Sequence, residues 1–210
     1  METETGVAGV EIAFDASGLV PCVTQDWSTG EVLTLAYMNR EALDRTLASG
    51  EVHFWSRSRG ELWRKGETSG NTQRLRALRY DCDADALLAL VEPAGPACHT
   101  GERTCFYRTV DGAAVAPHEA LPALGRTLAH RRDELPEGSY TARLFRAGAE
   151  RIGVKVEEEA EETARAGREE SDQRLREESA DLLYHLGVLL YARGLTYEDA
   201  LGELTRRMGR

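Results

Sequence analysis

The stretch YTARLFRAGAERIGVKVEEEAEETAR, Tyr140 to Arg165, repeats with the period of an α-helix. Phe145, Ala149, Ile152, Val156 and Ala160 recur at three- and four-residue steps and make one apolar stripe. Arg151, Lys155, Glu158 and Glu162 make a second stripe on a neighbouring face, and Glu159 falls between the two, at the edge of the expected core. A carboxylate there is costly unless it is paired or bound to a metal. The segment Ser171–Arg193 predicts a second helix, with Glu178 and Asp181 three residues apart beside the apolar run Leu182–Leu190. Two helices that each present carboxylates next to a buried surface can build a magnesium site between them. The bland reading, a solvated and salt-bridged face, is the commoner one for a Glu-rich helix and suits Glu157, Glu161, Glu169 and Glu170. For His185 a hydrogen-bonded place inside the bundle is the simpler expectation, and membership of the acidic site is the alternative.

Outward from this pair, Ala120–Arg132 and Tyr197–Met208 complete a set of four predicted helices. Pro136-Glu137-Gly138 makes a turn before a Ser139 N-cap, and Thr196 caps the last helix with Asp199 at its third position. Before about Glu119 the pattern is different. Leu19–Thr24, Val32–Tyr37, Val52–Trp55, Arg74–Tyr80 and Leu87–Val91 are short apolar or alternating runs that predict strands, with Phe106–Val110 as a further one. Arg40–Ala48 predicts one helix, ended by Gly50. Arg57–Thr72, rich in glycine, serine and basic residues, predicts a long functional loop. The expectation is an α+β N-terminal domain, mainly β with one helix, over residues 1–113, then an all-α helical bundle over residues 114–210. Pro117, Pro122 and the stretch near Gly112 mark the connection.

The bulk numbers exclude several classes. A chain of 210 residues with 41% hydrophobic and 30% charged residues is an ordinary globular protein. Its net charge of -10 argues against generic attraction to nucleic acid or an anionic membrane. No run is apolar enough to span a bilayer, and Met1–Val10 lacks the features of a signal peptide, so the expected location is cytoplasmic. Four cysteines in that compartment serve metals or cores. Cys22, inside Leu19–Val23, reads as core.

Cys82, Cys98 and Cys105 read differently. Three thiolates are an incomplete tetrahedron, and a zinc with three protein ligands keeps a position for water, as catalytic sites do. Three buried core cysteines are the competing reading at even weight. Asp81, Asp83 and Asp85 alternate around Cys82; on an extended strand they share one face, opposite the thiol, and a magnesium ion would relieve their repulsion. A solvated turn is the alternative. His99, next to Cys98, is the candidate for moving protons near a zinc-activated water. The Arg57–Thr72 loop, with Arg57, Arg59, Arg64, Lys65, Gly66 and Gly70, suits phosphate groups, and Trp55 and Trp63 offer faces for a purine or for packing.

The motifs Phe54-Trp55-Ser56-Arg57-Ser58-Arg59, Leu62-Trp63-Arg64-Lys65-Gly66-Glu67-Thr68-Ser69-Gly70-Asn71, Asp81-Cys82-Asp83-Ala84-Asp85, Gly95-Pro96-Ala97-Cys98-His99-Thr100-Gly101 and Cys105-Phe106 together resemble the phosphoribosyl-AMP cyclohydrolase family. They run in order through residues 19–108. The resemblance implies zinc on Cys82, Cys98 and Cys105, shared between the subunits of a homodimer, and magnesium on Asp81, Asp83 and Asp85. It implies substrate contacts from Trp55, Arg57, Ser58, Lys65, Gly66, Ser69, Gly70 and Asn71. The implied reaction is opening of the purine of phosphoribosyl-AMP at N1–C6 by a zinc-activated water, with His99 as the proton carrier. Thr104 stands where the family commonly has serine and keeps the hydroxyl.

Over residues 124–207, Ser139-Tyr140-Thr141-Ala142-Arg143-Leu144-Phe145, Gly148, Arg151-Ile152, Lys155-Val156, Glu158-Glu159-Ala160, Glu162 and Ala180-Asp181-Leu182-Leu183-Tyr184-His185-Leu186 resemble phosphoribosyl-ATP pyrophosphatase, a helical-bundle family of the nucleotide pyrophosphatase type. That likeness implies magnesium on Glu158, Glu159, Glu162, Glu178 and Asp181, phosphate contacts from Arg143, Arg151 and Lys155, and cleavage of an α–β phosphoanhydride. One carboxylate takes the proton; Glu159 is the candidate, and the choice among the five stays open. Glu157 departs from the family's usual glycine. Both families in this order are similar to the bifunctional enzymes for the second and third steps of histidine biosynthesis, whose partners are small nucleotides, without nucleic acid or membrane. The alternatives are a housekeeping nucleoside triphosphate pyrophosphatase fused to a zinc module, and a non-enzymatic zinc module on a helical dimerisation domain.

Overall fold

The computed structural model describes residues 10–110, 112 and 116–209. The chain divides into two compact units, Met1–Ala114 and Val115–Arg210. The boundary expected between residues 113 and 114, and the opening stretch apart from Val10, lie outside the described residues.

The first unit is a six-stranded sheet with one helix, as expected. Its elements are β1 (Val20–Asp26), β2 (Val32–Met38), α1 (Arg40–Ser49), β3 (His53–Ser56), β4 (Glu61–Arg64), β5 (Gln73–Tyr80) and β6 (Leu87–Pro93). The strand order is β4-β3-β2-β1-β6-β5. Only β1 and β6 run parallel; the other neighbours are antiparallel. In β1 every second residue is buried, so Val20 and Cys22 join Leu33, Met38, Leu43, Phe54 and Val91 in one core. Cys22 is thus the core residue expected, and burial pushes its thiol up to about 12. Asn39 caps α1 through a hydrogen bond from the Ala42 amide, 2.8 Å, and Gly50 ends it at φ 71°.

Three expectations for this unit change. Arg57–Thr72 is not one loop: β4 lies inside it and pairs with β3 from His53↔Arg64 to Ser56↔Glu61, after a turn closed by Gly60 at φ 67°. The basic composition masks the Leu62-Trp63 strand signal. Phe106–Val110 is not a strand. The chain touches β2 through Cys105 N–H to Leu33 O, 2.8 Å, and then leaves, with Phe106 and Val110 exposed. Asp81–Asp85 is a turn rather than a strand, because β5 must reverse there into antiparallel β6; Ala84 adopts φ 62°. Cys82 accordingly does not face away from all three carboxylates: its sulfur lies 3.7 Å from Asp83 Oδ1.

The second unit holds a short 3₁₀ turn (Pro117–Glu119), α2 (Ala120–Glu134), α3 (Tyr140–Glu169), α4 (Asp172–Ala192) and α5 (Tyr197–Arg207). Ser139, Ser171 and Thr196 are the N-caps of the last three, and Thr196 forms a reciprocal box with Asp199. The four helices are where the periodicity puts them, with one difference. Gly148, at φ 85° and ψ 170°, interrupts α3, so the apolar stripe is not one continuous line. Ile152 is fully buried, Phe145, Ala149 and Val156 are half-buried, and Ala160 is exposed. Near that end Glu159, not an apolar residue, is the buried position.

Leu128, Leu144, Ile152, Val188, Tyr191 and Tyr197 form the helical core. Gly187 on α4 admits the Tyr197 ring, whose hydroxyl donates to Leu183 O at 2.8 Å. A Cβ at Gly187 would lie 1.9 Å from the Tyr197 hydroxyl oxygen and 2.9 Å from Leu128 Cδ1. Gly187→Ala should therefore destabilise the helical unit, although alanine is the better helix former; overpacking of this kind costs roughly 1–3 kcal/mol. Urea unfolding followed by tyrosine fluorescence should show an earlier midpoint, and an unchanged midpoint would contradict this packing.

Candidate active sites

In the first unit the site is built on the loop that follows β6. Its ends are drawn together by Ala97 N–H to Arg103 O and Cys98 N–H to Glu102 O, both 3.0 Å, with Gly101 turning at φ 85°. This brings the Cys98 and Cys105 thiols close enough that each shifts the protonation of the other. The Cys98 thiol is held below the usual range, first by the Thr100 hydroxyl, which donates to its sulfur at 3.1 Å. Cys105 is exposed, yet partial desolvation of its thiol raises it above the usual range. His99 is exposed, with Nδ1 3.9 Å from Cys98 Sγ.

Cys82 does not join them within one chain. It is exposed on the β5–β6 turn, with its sulfur 3.7 Å from Asp83 Oδ1. Beside it, Asp81, Asp83 and Asp85 each bring a carboxylate oxygen into a group spanning 4.8 Å or less. Repulsion from Asp83 raises Asp85 above the usual carboxylate range, so the turn concentrates charge a cation would relieve.

Lys65 is buried, and its ammonium donates to Ala97 O at 2.6 Å, beside the thiols. Burial lowers its pKa, while the two cysteines pull it back up. The loop after it is locked against the cysteine loop: Ala94 N–H donates to Thr72 O at 2.9 Å, and a Cβ on Gly95 would meet Asn71 Oδ1 at 2.5 Å. Gly66, at φ 82°, lies so close to the Asn71 backbone that a Cβ would sit 2.3 Å from its carbonyl carbon. Lys65, Gly66, Ser69, Asn71, Cys98 and His99 line one cleft of about 480 Å³. Gly70, at φ 75°, turns the loop beside it.

Trp55, Arg57 and Ser58 are elsewhere. They line a second hollow of about 310 Å³ with Leu35 and Tyr37, and the Arg57 guanidinium stacks 3.9 Å over the Tyr37 ring. Side chains alternate along β3: Phe54 packs on Trp63 towards the core, so Trp55 faces the other way. The residues grouped as one substrate set are thus divided between two faces of the β3–β4 ribbon.

In the second unit Glu159, Glu178 and Asp181 place carboxylate oxygens within 4.8 Å of one another, with the first two buried. Glu158 and Glu162, from the same expected set, stay outside this group. Glu158 is exposed and paired with Lys155, and Glu162 is half-buried, 3.9 Å from Arg165. The Lys155 pair holds Glu158 below the usual carboxylate range. Lys155 also approaches Glu159 at 3.6 Å. Arg143 lies exposed over the Tyr140 ring at 5.6 Å, and Arg151 is exposed on α3.

Sequence reasoning missed Arg174, which pairs with Glu178; His185 is buried and hydrogen-bonded inside the bundle, the simpler of its two expected places, and also borders the acidic group. His185 Nδ1 lies 3.0 Å from Asp181 O and 3.4 Å from Glu159 Oε1, and Nε2 lies 3.1 Å from the Tyr140 hydroxyl. Both neighbours of Nδ1 are acceptors, so Nδ1 carries the proton and Nε2 accepts from tyrosine. The i, i+4 spacings of Arg174 to Glu178 and Asp181 to His185 were the available signals.

The two donor sets differ in kind. Three carboxylates suit a hard, oxygen-seeking cation such as magnesium, and two thiols suit zinc but supply half of a tetrahedron. In metal-free protein at neutral pH, iodoacetamide should label Cys98 and leave Cys22 untouched, since thiolate is the nucleophile. Zinc should suppress the labelling at Cys98 and Cys105. Peptide mass mapping reads both effects, and labelling of Cys22 at a rate like that of Cys98 would contradict these environments.

The comparisons with known proteins divide the chain in the same way. Residues 34–107 match the family model of phosphoribosyl-AMP cyclohydrolase, and residues 121–208 match that of phosphoribosyl-ATP pyrophosphohydrolase. The histidine biosynthesis bifunctional protein HisIE of Bacillus subtilis (strain 168) is 50% identical over 198 residues, covering 94% of this chain and 95% of that protein. The protein of the same name from Thermus thermophilus is 50% identical, covering 93% of this chain and 92% of its own. That of Xanthomonas campestris pv. campestris is 49% identical over 99% of both chains. With such likeness along nearly its whole length, and with a cyclohydrolase-type sheet preceding a pyrophosphohydrolase-type bundle, this chain belongs to the HisIE family of bifunctional histidine-biosynthesis proteins.

Proposed function

We propose that the helical unit hydrolyses phosphoribosyl-ATP to phosphoribosyl-AMP and pyrophosphate with magnesium, and that the strand-rich unit then opens the adenine ring of phosphoribosyl-AMP between N1 and C6 with zinc. The observation that carries this reading is the presence, in a chain of this family, of two donor sets of opposite hardness: Glu159, Glu178 and Asp181 within 4.8 Å, and the neighbouring thiols of Cys98 and Cys105. When bound, magnesium would neutralise phosphate oxygens, and zinc would lower the pKa of a water to about 7.

The side chains supply the rest. In the bundle, Glu159, Glu178 and Asp181 hold the cation, and Arg143, Arg151 and Lys155 meet the phosphates. Lys155 then has to exchange a carboxylate for a phosphate oxygen, since it starts paired to Glu158 and Glu159. Glu159 is our candidate proton acceptor; the His185 Nδ1–H, which donates to Asp181 O at 3.0 Å, lies 3.4 Å from Glu159 Oε1 and presents a positive edge to that carboxylate. In the strand-rich unit His99 takes and returns protons at the purine, and the loop Lys65–Asn71 closes one wall around the ribosyl phosphates. N1 of this substrate carries a ribosyl group, so its ring is cationic and already electrophilic at C6.

Two thiols per chain leave zinc one ligand short of the expected three. We assign the third to Cys82 of the partner subunit in a homodimer, whose neighbouring carboxylates bring a magnesium ion to the same place. Two copies also give Trp55, Arg57 and Ser58, which lie apart from the cysteine cleft, a route to substrate. The location proposed is the cytoplasm; among the described residues no helix is long and apolar enough to cross a membrane.

Selective metal removal separates the two activities. With phosphoribosyl-ATP, magnesium and zinc, the expected end product is the ring-opened imidazole carboxamide ribotide. After treatment with a zinc-selective chelator, phosphoribosyl-AMP should accumulate while pyrophosphate release continues. With zinc present and magnesium withheld, the substrate should stay intact. Chromatography of the nucleotides reads all three, and ring opening that survives complete zinc removal would overturn the assignment of the thiol site.

A further inference from the structure

We infer that Arg103 is a positioning residue for the zinc site, setting the separation of Cys98 and Cys105 as donors; the inference rests on the zinc reading above. Arg103 lies in sequence between the two cysteines, yet its side chain leaves the loop altogether. Nη2 donates to Asp26 Oδ2 and Nε donates to Glu31 Oε2, both at 2.7 Å. These acceptors lie more than 70 residues away in sequence. They are rigid ones. The Asp26 carboxylate is 6% exposed and the Glu31 carboxylate 11%. Asp26 Oδ1 also accepts from the amides of Ser28 and Thr29, at 2.9 and 3.1 Å, and the Thr29 hydroxyl donates to Glu31 Oε2 at 3.0 Å. Asp26 is the last residue of β1, so the whole turn is fastened to the centre of the sheet.

The main chain of Arg103 completes the link. Its carbonyl accepts from Ala97 N–H at 3.0 Å, one residue before Cys98. The next residue, Thr104, donates through its hydroxyl to Val32 O at 2.6 Å, and Cys105 N–H donates to Leu33 O at 2.8 Å. Arg103 thus ties the Cys98 side of the loop to the β1–β2 turn, and the two residues after it fasten the Cys105 side to β2. A loop this short has no hydrophobic core of its own, and two thiols that must meet one ion tolerate little drift. Groups outside the ligand shell that fix ligand orientation commonly change metal affinity ~10–100-fold when removed. The planar guanidinium fork reaches two separate carboxylates at once, which an ammonium does not do in the same geometry.

A bland alternative is that the ion pairs only hold the β1–β2 turn. The experiment separates the two. Arg103→Lys keeps the charge beside the buried carboxylates and loses the fork; Glu31→Gln removes one of the two contacts. The full-length chain is used, with zinc affinity measured by competition against a chromophoric chelator and the thiolate-to-metal absorption recorded with cobalt(II). Thermal unfolding of the metal-free protein and magnesium-dependent pyrophosphate release serve as controls for folding. In Arg103→Lys we expect zinc affinity to fall by about 10–100-fold and the cobalt band to shift, with pyrophosphate release unchanged. Glu31→Gln should lose less, in the same direction. Wild-type affinity and an unaltered cobalt spectrum in folded Arg103→Lys would overturn the inference, even if that variant melted earlier. Should Arg103→Lys fail to fold, the same two readouts on Glu31→Gln decide the matter. If the wild-type chain itself bound no zinc through Cys98 and Cys105, the zinc reading would fail first, and the controls would distinguish that case.

Discussion

A carboxylate held out of water needs a counter-charge, and how this need is met separates scaffold from active site in this chain. Asp26 and Glu31 have largely buried carboxylates, and the Arg103 guanidinium stands at hydrogen-bonding distance from both. That cluster is complete, and its role is to hold loops. Glu159 and Glu178 are as deeply buried, but their answer is piecemeal. Lys155 stands 3.6 Å from Glu159 and divides itself with Glu158. Arg174 reaches Glu178 but also pairs with Glu177 and Glu170. Asp181 adds a third carboxylate to the group. Desolvation makes such an arrangement expensive in isolation, and a divalent cation is the natural remedy.

The two units place their donor groups differently. The bundle uses the stiffness of two long helices: α3 supplies Glu159, α4 supplies Glu178 and Asp181, and helix pitch sets the spacing. The sheet places its donors on turns, Asp81–Asp85 between β5 and β6 and Cys98–Cys105 after β6, where spacing has to be imposed by cross-links. Hence the density of tethers around the second loop: Lys65 on Ala97 O, Thr104 on Val32 O and Arg103 on the β1–β2 turn. Gly66 and Gly95, pressed against Asn71, serve the same end by letting neighbouring loops approach.

Much of this was legible in the sequence where the physics is local. Caps at Ser139 and Thr196, the stop at Gly50, the helical period and the core place of Cys22 all follow from short-range rules. Composition misled where it outweighed pattern: the basic residues of 57–72 concealed β4, and the alternation in 81–85 left an extended strand and a turn both open although a reversal was needed there. Gly148 read as an ordinary helix position because a single glycine inside a periodic segment does not announce a break. The contacts of Arg103, and the sorting of Trp55 and Arg57 away from Lys65, depend on which strands become neighbours. That is settled by the whole sheet and has no local signature.

The central claim is that the ring-opening site is assembled from two copies of the chain. Its most direct measurement mixes two defective variants, Cys82→Ser and Cys105→Ser, by unfolding and refolding them together. Each alone should fail to open the ring of phosphoribosyl-AMP while releasing pyrophosphate from phosphoribosyl-ATP as the wild type does. In the mixed dimer one site contains both intact contributions, so ring opening should return on mixing. A Cys82→Ser variant that keeps full ring-opening activity, or mixed dimers that form and remain inactive, would contradict the account.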